Sequence, residues 1–579
     1  MTIKIKKLLP YFLASLFSIV AMTFYHELWN ISINIPLAYS GDGLFFLNFV
    51  RVVLEGDIFL RCEMTGAPFR ADFFDFPVMA SFDVLLIRII GLFSSNPATV
   101  TNLFYFLTYP LTAVITVFVA KKMWLRDSIA VLIAVLFAIL PYHFFRNVGH
   151  LNLSGYYFVP FAALIVYMAY FKYADFYKDD SRKLNFKSYS FVLCVIMSVC
   201  IGLSSLYYSF FTLIVMGFAV IITYGVERDI KTPKLLMVFF SIICITVFLT
   251  MIPTLLFLAR NGLNTEAVGR SPSDFNLYSL TASHLIMPVP GHRIGFMNEI
   301  RALFESGLNN NENRYATLGI IGSTGFILSF LLVFWKFKEL KSAKVLKFFS
   351  ILVVLTFATA TFGGFGQILY IFFPQIRCYN RISIFIALFS FLIIGFLLQE
   401  FSDRLKGKAK YLLPVLVAVM LVVGAVDFST YHFRMNNQHT IEKMNIMDEF
   451  VSEIEETMPP GSMIYQLPYI GNSPIFIYMH NIEHYEHYRP ILASNTLRWS
   501  YGATYGRPAD ILHRYLVDQL DTSDMLERLE YEGFTGLYID LRGYADHGET
   551  LLSELKADLN CEPIVSSDGN YVFFDIRGT

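Results

Sequence analysis

Charge is what this chain has least of. Asp, Glu, Lys and Arg make up 16% of its 579 residues, against 55% hydrophobic residues. A water-soluble domain carries about a quarter charged residues, so an ordinary soluble enzyme is excluded as a description of the whole. Cysteine is sparse too: Cys62, Cys194, Cys200, Cys244, Cys378 and Cys561 form no CxxC pair and no Cys/His spacing of a metal site. Cys194, Cys200 and Cys244 fall in apolar runs and read as small core residues. There is no nucleotide-binding glycine loop, which argues against an ATP-driven pump, and no HExxH helix. No sustained repeat or low-complexity tract appears. The opening MTIKIKK leads into an apolar run without a small-residue cleavage site, which predicts an anchored first span rather than a removable signal peptide.

What is abundant is long apolar sequence. A helix needs roughly 17 to 25 apolar residues to cross a hydrocarbon core. Eleven stretches reach or approach that length, at about 9–29, 99–120, 127–141, 154–171, 189–203, 206–224, 236–259, 314–335, 346–364, 382–399 and 411–427. Lys4, Lys6 and Lys7 precede the first, and the even-numbered spans run into basic loops such as KKMWLR, KFKELKSAK and SDRLKGKAK. Basic loops lie on the cytoplasmic side, so the reading is eleven spans with the N-terminus inside and the C-terminus outside. The stretch 77–93 holds Asp83 and Arg88, and counting it as a span would put Lys121 and Lys122 outside. It therefore reads as an interfacial helix in a first outer loop, 30–98.

The tail differs. Residues 441–579 carry 9 Lys and Arg against 23 Asp and Glu, a local balance of −14 in a chain of net charge −1. The part before it is correspondingly basic. MIYQLPYI, GFTGLYIDL and YVFFDIRG are β-branched and aromatic, whereas IEKMNIMDEFVSEIEE and DTSDMLERLEYE have helical spacing. The expected architecture is an all-α membrane domain, 1–430, followed by a small extracytoplasmic α/β domain, 440–579.

Polar candidates gather on the outer side. Asp42 lies between two glycines just past the first span, before the amphipathic run GLFFLNFVRVVLE. A carboxylate there can take a proton from a hydroxyl, or be a solvated loop residue. Asp72 and Asp75, with Glu63, Arg61 and Arg70, suit either a site or a salt-bridged loop. The turn PYHFFRNVGHLNLS sets His143, Arg146, Asn147 and His150 at the mouth of spans three and four. An arginine there can grip phosphate through its planar fork or act as an interfacial anchor. The long outer loop 260–313 carries Arg270, His292 and Arg293 beside Glu266, Asp274 and His284; loops of this length are lids, binding loops or mobile segments. Arg377 and Arg381, four apart at the start of span ten, could hold phosphate or snorkel to headgroups.

SGDGLFFLNFVRVVLEGDIF, continued by GAPFRADFFDFPVMASFDVLLIRIIGLF and a further span, resembles the GT-C superfamily of integral-membrane glycosyltransferases, among them the protein O-mannosyltransferases and the lipid A aminoarabinose transferase. The tail-bearing layout is also similar to YfhO-like bacterial membrane proteins and to sugar transferases of surface polysaccharides. The resemblance implies a polyprenyl-phosphate-linked sugar as donor, a glycan, lipid or protein acceptor at the outer leaflet, and inversion at the anomeric carbon. It makes Asp42 the base, with no nucleic-acid partner. Many members have a further acid at the mouth of spans three and four, where this chain has His143, Arg146, Asn147 and His150; the expectation is therefore no required divalent metal and no other cofactor. Two rival readings remain: a lipid-linked sugar transporter or flippase, which would favour paired charges within spans and inverted repeats, and a non-catalytic assembly protein of surface-polysaccharide synthesis.

Overall fold

The computed structural model describes residues 2–578 except 58, 76–79, 179–182, 227, 267–270, 272, 306–310, 336–339, 432–436 and 473–478. Among the described residues, eight helices are long and apolar enough to cross a membrane: Lys6–Tyr25, Pro97–Lys122, Asp127–Arg146, Val148–Phe171, Leu206–Gly225, Lys231–Asn261, Ala343–Ala360 and Tyr379–Arg404. Three shorter apolar helices, Tyr189–Gly202, Gly319–Phe334 and Leu412–Asp427, accompany them. Together they fall on the eleven stretches read from the sequence. The chain is a helical, multi-pass membrane protein with a small C-terminal sheet.

Burial sorts these helices into layers. The apolar windows of Asp127–Arg146 and Tyr379–Arg404 are 94% and 83% buried, whereas those of Lys6–Tyr25 and Lys231–Asn261 are 28% buried. The first pair forms the centre, and the second turns residues such as Phe248, Leu249 and Leu256 outward. Hydrocarbon offers no hydrogen bonds, so polar groups inside it must be satisfied by the protein. Thr112 and Thr116 in Pro97–Lys122 do this by donating to the carbonyls of Thr108 and Thr112, each at 2.7 Å.

Side-chain contacts bring the links at one end of the bundle together: Asp42 meets His150, Glu312 meets Arg381, and Arg293 meets Glu27 and the chain beyond Asp427 at Thr430. The link 26–96 holds two helices that are not among the candidate spans, Asp42–Glu55 and Ser81–Gly91. Asp83 of the second is buried and accepts the hydroxyl of Tyr157, and its burial pushes the carboxyl up to about 7. The stretch expected to lie at the interface therefore anchors itself with an acid turned inward, while its first residues, 77–79, lie outside the described residues.

The C-terminal region opens with the helix Asn437–Thr457 and builds a five-stranded sheet from β1 (Met463–Leu467), β2 (Arg498–Trp499), β3 (Phe534–Asp540), β4 (Ile564–Val565) and β5 (Tyr571–Asp575), in the order β2-β1-β3-β5-β4. β1 runs parallel to both β2 and β3, and β5 is antiparallel to β3 and β4. The three β-rich runs in the sequence became β1, β3 and β5; β2 and β4, of two residues each, are too short to leave a pattern.

This sheet is fastened to the link between the first two spans. The backbone N–H groups of Gly66 and Ala67 donate to the carbonyls of Tyr501 and Trp499, and Trp499 N–H to Met64, each at 2.9 Å. Arg51 of Asp42–Glu55 donates to the carbonyls of Ile491 and Ser494. Arg507 grips both oxygens of Asp75, at 2.5 and 2.8 Å, and also reaches the carbonyls of Asn261 and Gly262. A lysine cannot reproduce that fork. Arg507→Lys is expected to cost about 1.5–3 kcal/mol, the worth of hydrogen bonds to a charged group, read as earlier thermal release of the C-terminal region in limited proteolysis; an unchanged cleavage temperature would contradict the clamp.

Candidate active site

Asp42 is the first residue of the helix Asp42–Glu55. Gly41 turns the chain into that helix with φ +48, a region where a side chain is strained. Gly43 is needed for a different reason, because a Cβ there would stand 2.7 Å from Ala38 Cβ and 2.9 Å from Ala38 O. The two glycines thus fold the chain back on itself and leave the Asp42 carboxylate at the tip, its side chain 32% exposed.

Three other segments close on that tip. His150, in the short 3-10 turn Val148–His150 at the start of Val148–Phe171, brings Nε2 to 3.6 Å from Asp42 Oδ2 and 4.0 Å from Glu312 Oε2. Glu312 begins the turn Glu312–Tyr315 that leads into Gly319–Phe334. Its Oε2 pairs with Arg146, and its Oε1 lies 3.4 Å from Arg381 Nη2. Arg146, 1% exposed, lies against the rings of Tyr142 at 5.0 Å and Tyr315 at 5.9 Å. Arg381 stands 4.3 Å from the ring centre of Tyr207. Such cation–π seating offsets part of the cost of removing guanidinium from water. From the C-terminal region Tyr485 packs on Phe45 with ring centres 5.0 Å apart, near enough to Asp42 to feel its charge.

The electrostatics follow from this enclosure. Burial pushes the Asp42 carboxyl up to about 6, against the opposing pull of Arg381. A helix N-terminus favours an anion, so here desolvation outweighs both attractive effects. The two carboxylates, Asp42 and Glu312, face two guanidiniums, Arg146 and Arg381. Nε of Arg146 and Nε of Arg381 are buried without a hydrogen-bond acceptor, so the pair has donor capacity that Glu312 does not use. Among the described residues, no group of three or more His, Cys, Asp or Glu could hold a metal ion.

The remaining sequence candidates lie elsewhere. His143 is fully buried: Nδ1 meets the Ala138 carbonyl at 2.7 Å, Nε2 the Thr108 hydroxyl at 2.8 Å, and the ring stacks on Tyr109. Asn147 shapes the turn that carries His150, accepting the N–H of Gly149 and, through its carbonyl, the hydroxyl of Ser154. His292 accepts the N–H of Ile294, and Arg293 pairs with Glu27 at 3.3 Å and bonds the Thr430 carbonyl. These two tie the long loop to the ends of the first and last spans. Arg377 pairs with Asp274 at 3.5 Å over the ring of Tyr278. Asp72 accepts the N–H of Phe74, and Asp75 belongs to Arg507. Arg270 lies outside the described residues. Sequence reasoning passed over Glu312 and Tyr485. The signal for Glu312 was available: like Asp42, it is an acid near the edge of a span.

Residues 84–385 match the model of a family described as a domain of unknown function, DUF6311. The chain belongs to the DUF6311 family. Its matched segment contains Arg146, His150, Glu312 and Arg381, while Asp42 and the C-terminal sheet lie outside it. No curated protein matches the chain. Among solved structures, ArnT from Cupriavidus metallidurans bound to undecaprenyl phosphate is similar to this DUF6311 protein with TM-score 0.53 and 11% identity, over 97% of this chain and 98% of that one. The apo state of the same enzyme gives TM-score 0.52 at 11% identity, over 96% of each chain. At such identity the likeness is one of fold: this DUF6311 protein has the fold of ArnT.

Proposed function

We propose that this DUF6311 protein is a membrane glycosyltransferase that moves a sugar from a polyprenyl-phosphate donor to a hydroxyl of an extracytoplasmic glycan, lipid or protein. The observation that carries the reading is the meeting of Asp42, with its carboxyl at about 6, and the enclosed guanidiniums of Arg146 and Arg381 around Glu312. In this reading the Asp42 carboxylate takes the acceptor's proton as the acceptor oxygen forms its bond to the sugar C1. The bond from C1 to the phosphate oxygen breaks with its electron pair, the anomeric centre inverts, and the charge developing on the lipid phosphate falls to Arg146 and Arg381. His150 orients the Asp42 carboxylate, and Arg377 stands behind as a second-rank cation held by Asp274. The ArnT of similar fold was solved with undecaprenyl phosphate, which supports a lipid phosphate as the leaving group. The reading puts the site and the C-terminal region on the extracytoplasmic face of a bacterial inner membrane, opposite the basic loops, and treats the chain from about 440 as its own domain. It requires no divalent metal.

Purified protein in nanodiscs, offered radiolabelled polyprenyl-phosphate sugars with a panel of acceptors, should transfer label with and without chelator. Retention of all label on the lipid, with every donor and acceptor, would defeat the proposal. A base must be ionised to act, and a carboxyl raised to about 6 is protonated below that value. The expected profile of kcat/KM is therefore flat above pH 6 and falls about tenfold per pH unit beneath it. A rate held down to pH 4.5, near the ordinary carboxylate range of about 4, would contradict the burial argument.

A further inference from the structure

A cavity of about 570 Å³ opens in the C-terminal region, lined entirely by residues between Leu467 and Leu551 and so separate from the Asp42 site. Its place in the sheet is informative. Leu467 to Gly471 leave the carboxyl end of β1, and Gly543 and Tyr544 follow that of the parallel neighbour β3. β2 lies on the far side of β1, so the chain leaves β1 toward one edge and then crosses over to β3. The cavity thus occupies the point in the sheet where the connections diverge, which is where open α/β sheets bind their ligands. Its volume lies in the range of small-molecule sites, about 300–1,000 Å³.

The lining narrows the ligand class. Tyr469, Tyr505 and Tyr544 supply ring faces with polar tips, the combination that packs against a molecule apolar on one face and hydroxylated at its edge. Arg514 is the lining guanidinium, and it is already engaged: Asp510 lies 2.7 Å away, Glu266 3.2 Å, and the Tyr505 ring beneath it. Asp510 also accepts the hydroxyl of Tyr469 at 2.6 Å. Asp518, one turn beyond Arg514 on the helix Pro508–Asp518, and Asp521 also line it. Two lining carboxylates, with Arg514 already neutralised by Asp510 and Glu266, in a region of net charge −14, make the field negative and turn away phosphates, nucleotides and other anions. We propose that this cavity is a carbohydrate-binding site for a sugar ring that carries no phosphate or carboxylate, neutral or amino-substituted. The ring stacks on tyrosine, and its hydroxyls donate to Asp518 and Asp521.

The test does not depend on the transfer reaction. Full-length protein in nanodiscs, free of sugar-headed detergent, is titrated with methyl glycosides of glucose, mannose, galactose and glucosamine, and with glucose 6-phosphate, and binding is followed by saturation-transfer NMR. At least one uncharged or amino sugar is expected to bind saturably, and glucose 6-phosphate is not. Tyr544→Ala should weaken binding by about tenfold, through the loss of ring contact. Asp518→Asn, on an exposed side chain where folding is not at stake, should weaken it by about tenfold or more. Asp42→Asn should leave it unchanged. The proposal is overturned if no probe binds saturably, if the phosphorylated sugar binds as well as the others, if Asp518→Asn binds like the wild type, or if Asp42→Asn abolishes binding.

Discussion

Asp42→Asn is expected to lower sugar transfer by at least about 10²-fold, the usual range for losing a general base, with the protein still folded and inserted. Asparagine keeps the shape and can still meet His150, so what disappears is basicity. The effect on stability should run the other way. The folded carboxyl at about 6 lies above its ordinary 3.8, so the fold disfavours the ionised form, and stability is lost as pH rises through that interval. Removing the charge relieves this, and the melting temperature at pH 7.5 should be equal to or slightly above that of the wild type. Large loss of turnover with no loss of stability separates a catalytic carboxylate from a structural one. Wild-type turnover in Asp42→Asn, at normal expression, would end the assignment; a collapse of both turnover and melting temperature would make Asp42 a folding residue instead.

What the sequence made legible, and what it hid, has a physical pattern. The eleven spans could be read because hydrocarbon imposes a length and a composition on each helix separately, and basic loops mark the alternate ends. Asp42 was legible for a similar reason, as a charge at a span's edge flanked by turn residues. The partners of Asp42 were not, since they depend on which loops meet. His143 and His150 sit seven residues apart in one turn with the same side chain, yet Pro141–Arg146 buries the first against Tyr109 and Thr108 while the kink at Asn147 swings the second toward Asp42. Arg377 and Arg381 look equivalent on paper, but Arg377 lies in irregular chain and Arg381 in the short turn Tyr379–Ile382, and one goes to Asp274 and the other to Glu312. Glu312 is 270 positions from Asp42, and nothing local announces that the two share a histidine. The flanking glycines have separate tasks: Gly41 takes a positive φ, and Gly43 lets the backbone pass close to Ala38.

Glu312→Gln is expected to cost about 3–5 kcal/mol, the range seen when one partner of a buried ion pair is removed and the other is left charged. The case is sharper than usual because Glu312 serves two cations. Its side chain is 11% exposed, Arg146 is 1% and Arg381 13% exposed, so water cannot take over the lost charge and the two guanidiniums are left facing one another. The fall should appear as a lower melting temperature in nanodiscs, with Arg146→Met in the same background recovering part of it by removing the stranded cation. A second consequence distinguishes a phosphate site from a purely structural ion cluster. In the wild type the glutamate competes with any phosphate for the same guanidinium faces; in Glu312→Gln that competition is gone, so polyprenyl phosphate should raise the melting temperature of the variant more than that of the wild type. Stabilisation of both proteins to the same extent would mean that Arg146 and Arg381 hold the loops together and do not meet the donor, which would remove the leaving-group half of the mechanism while leaving Asp42 to be judged by its own variant.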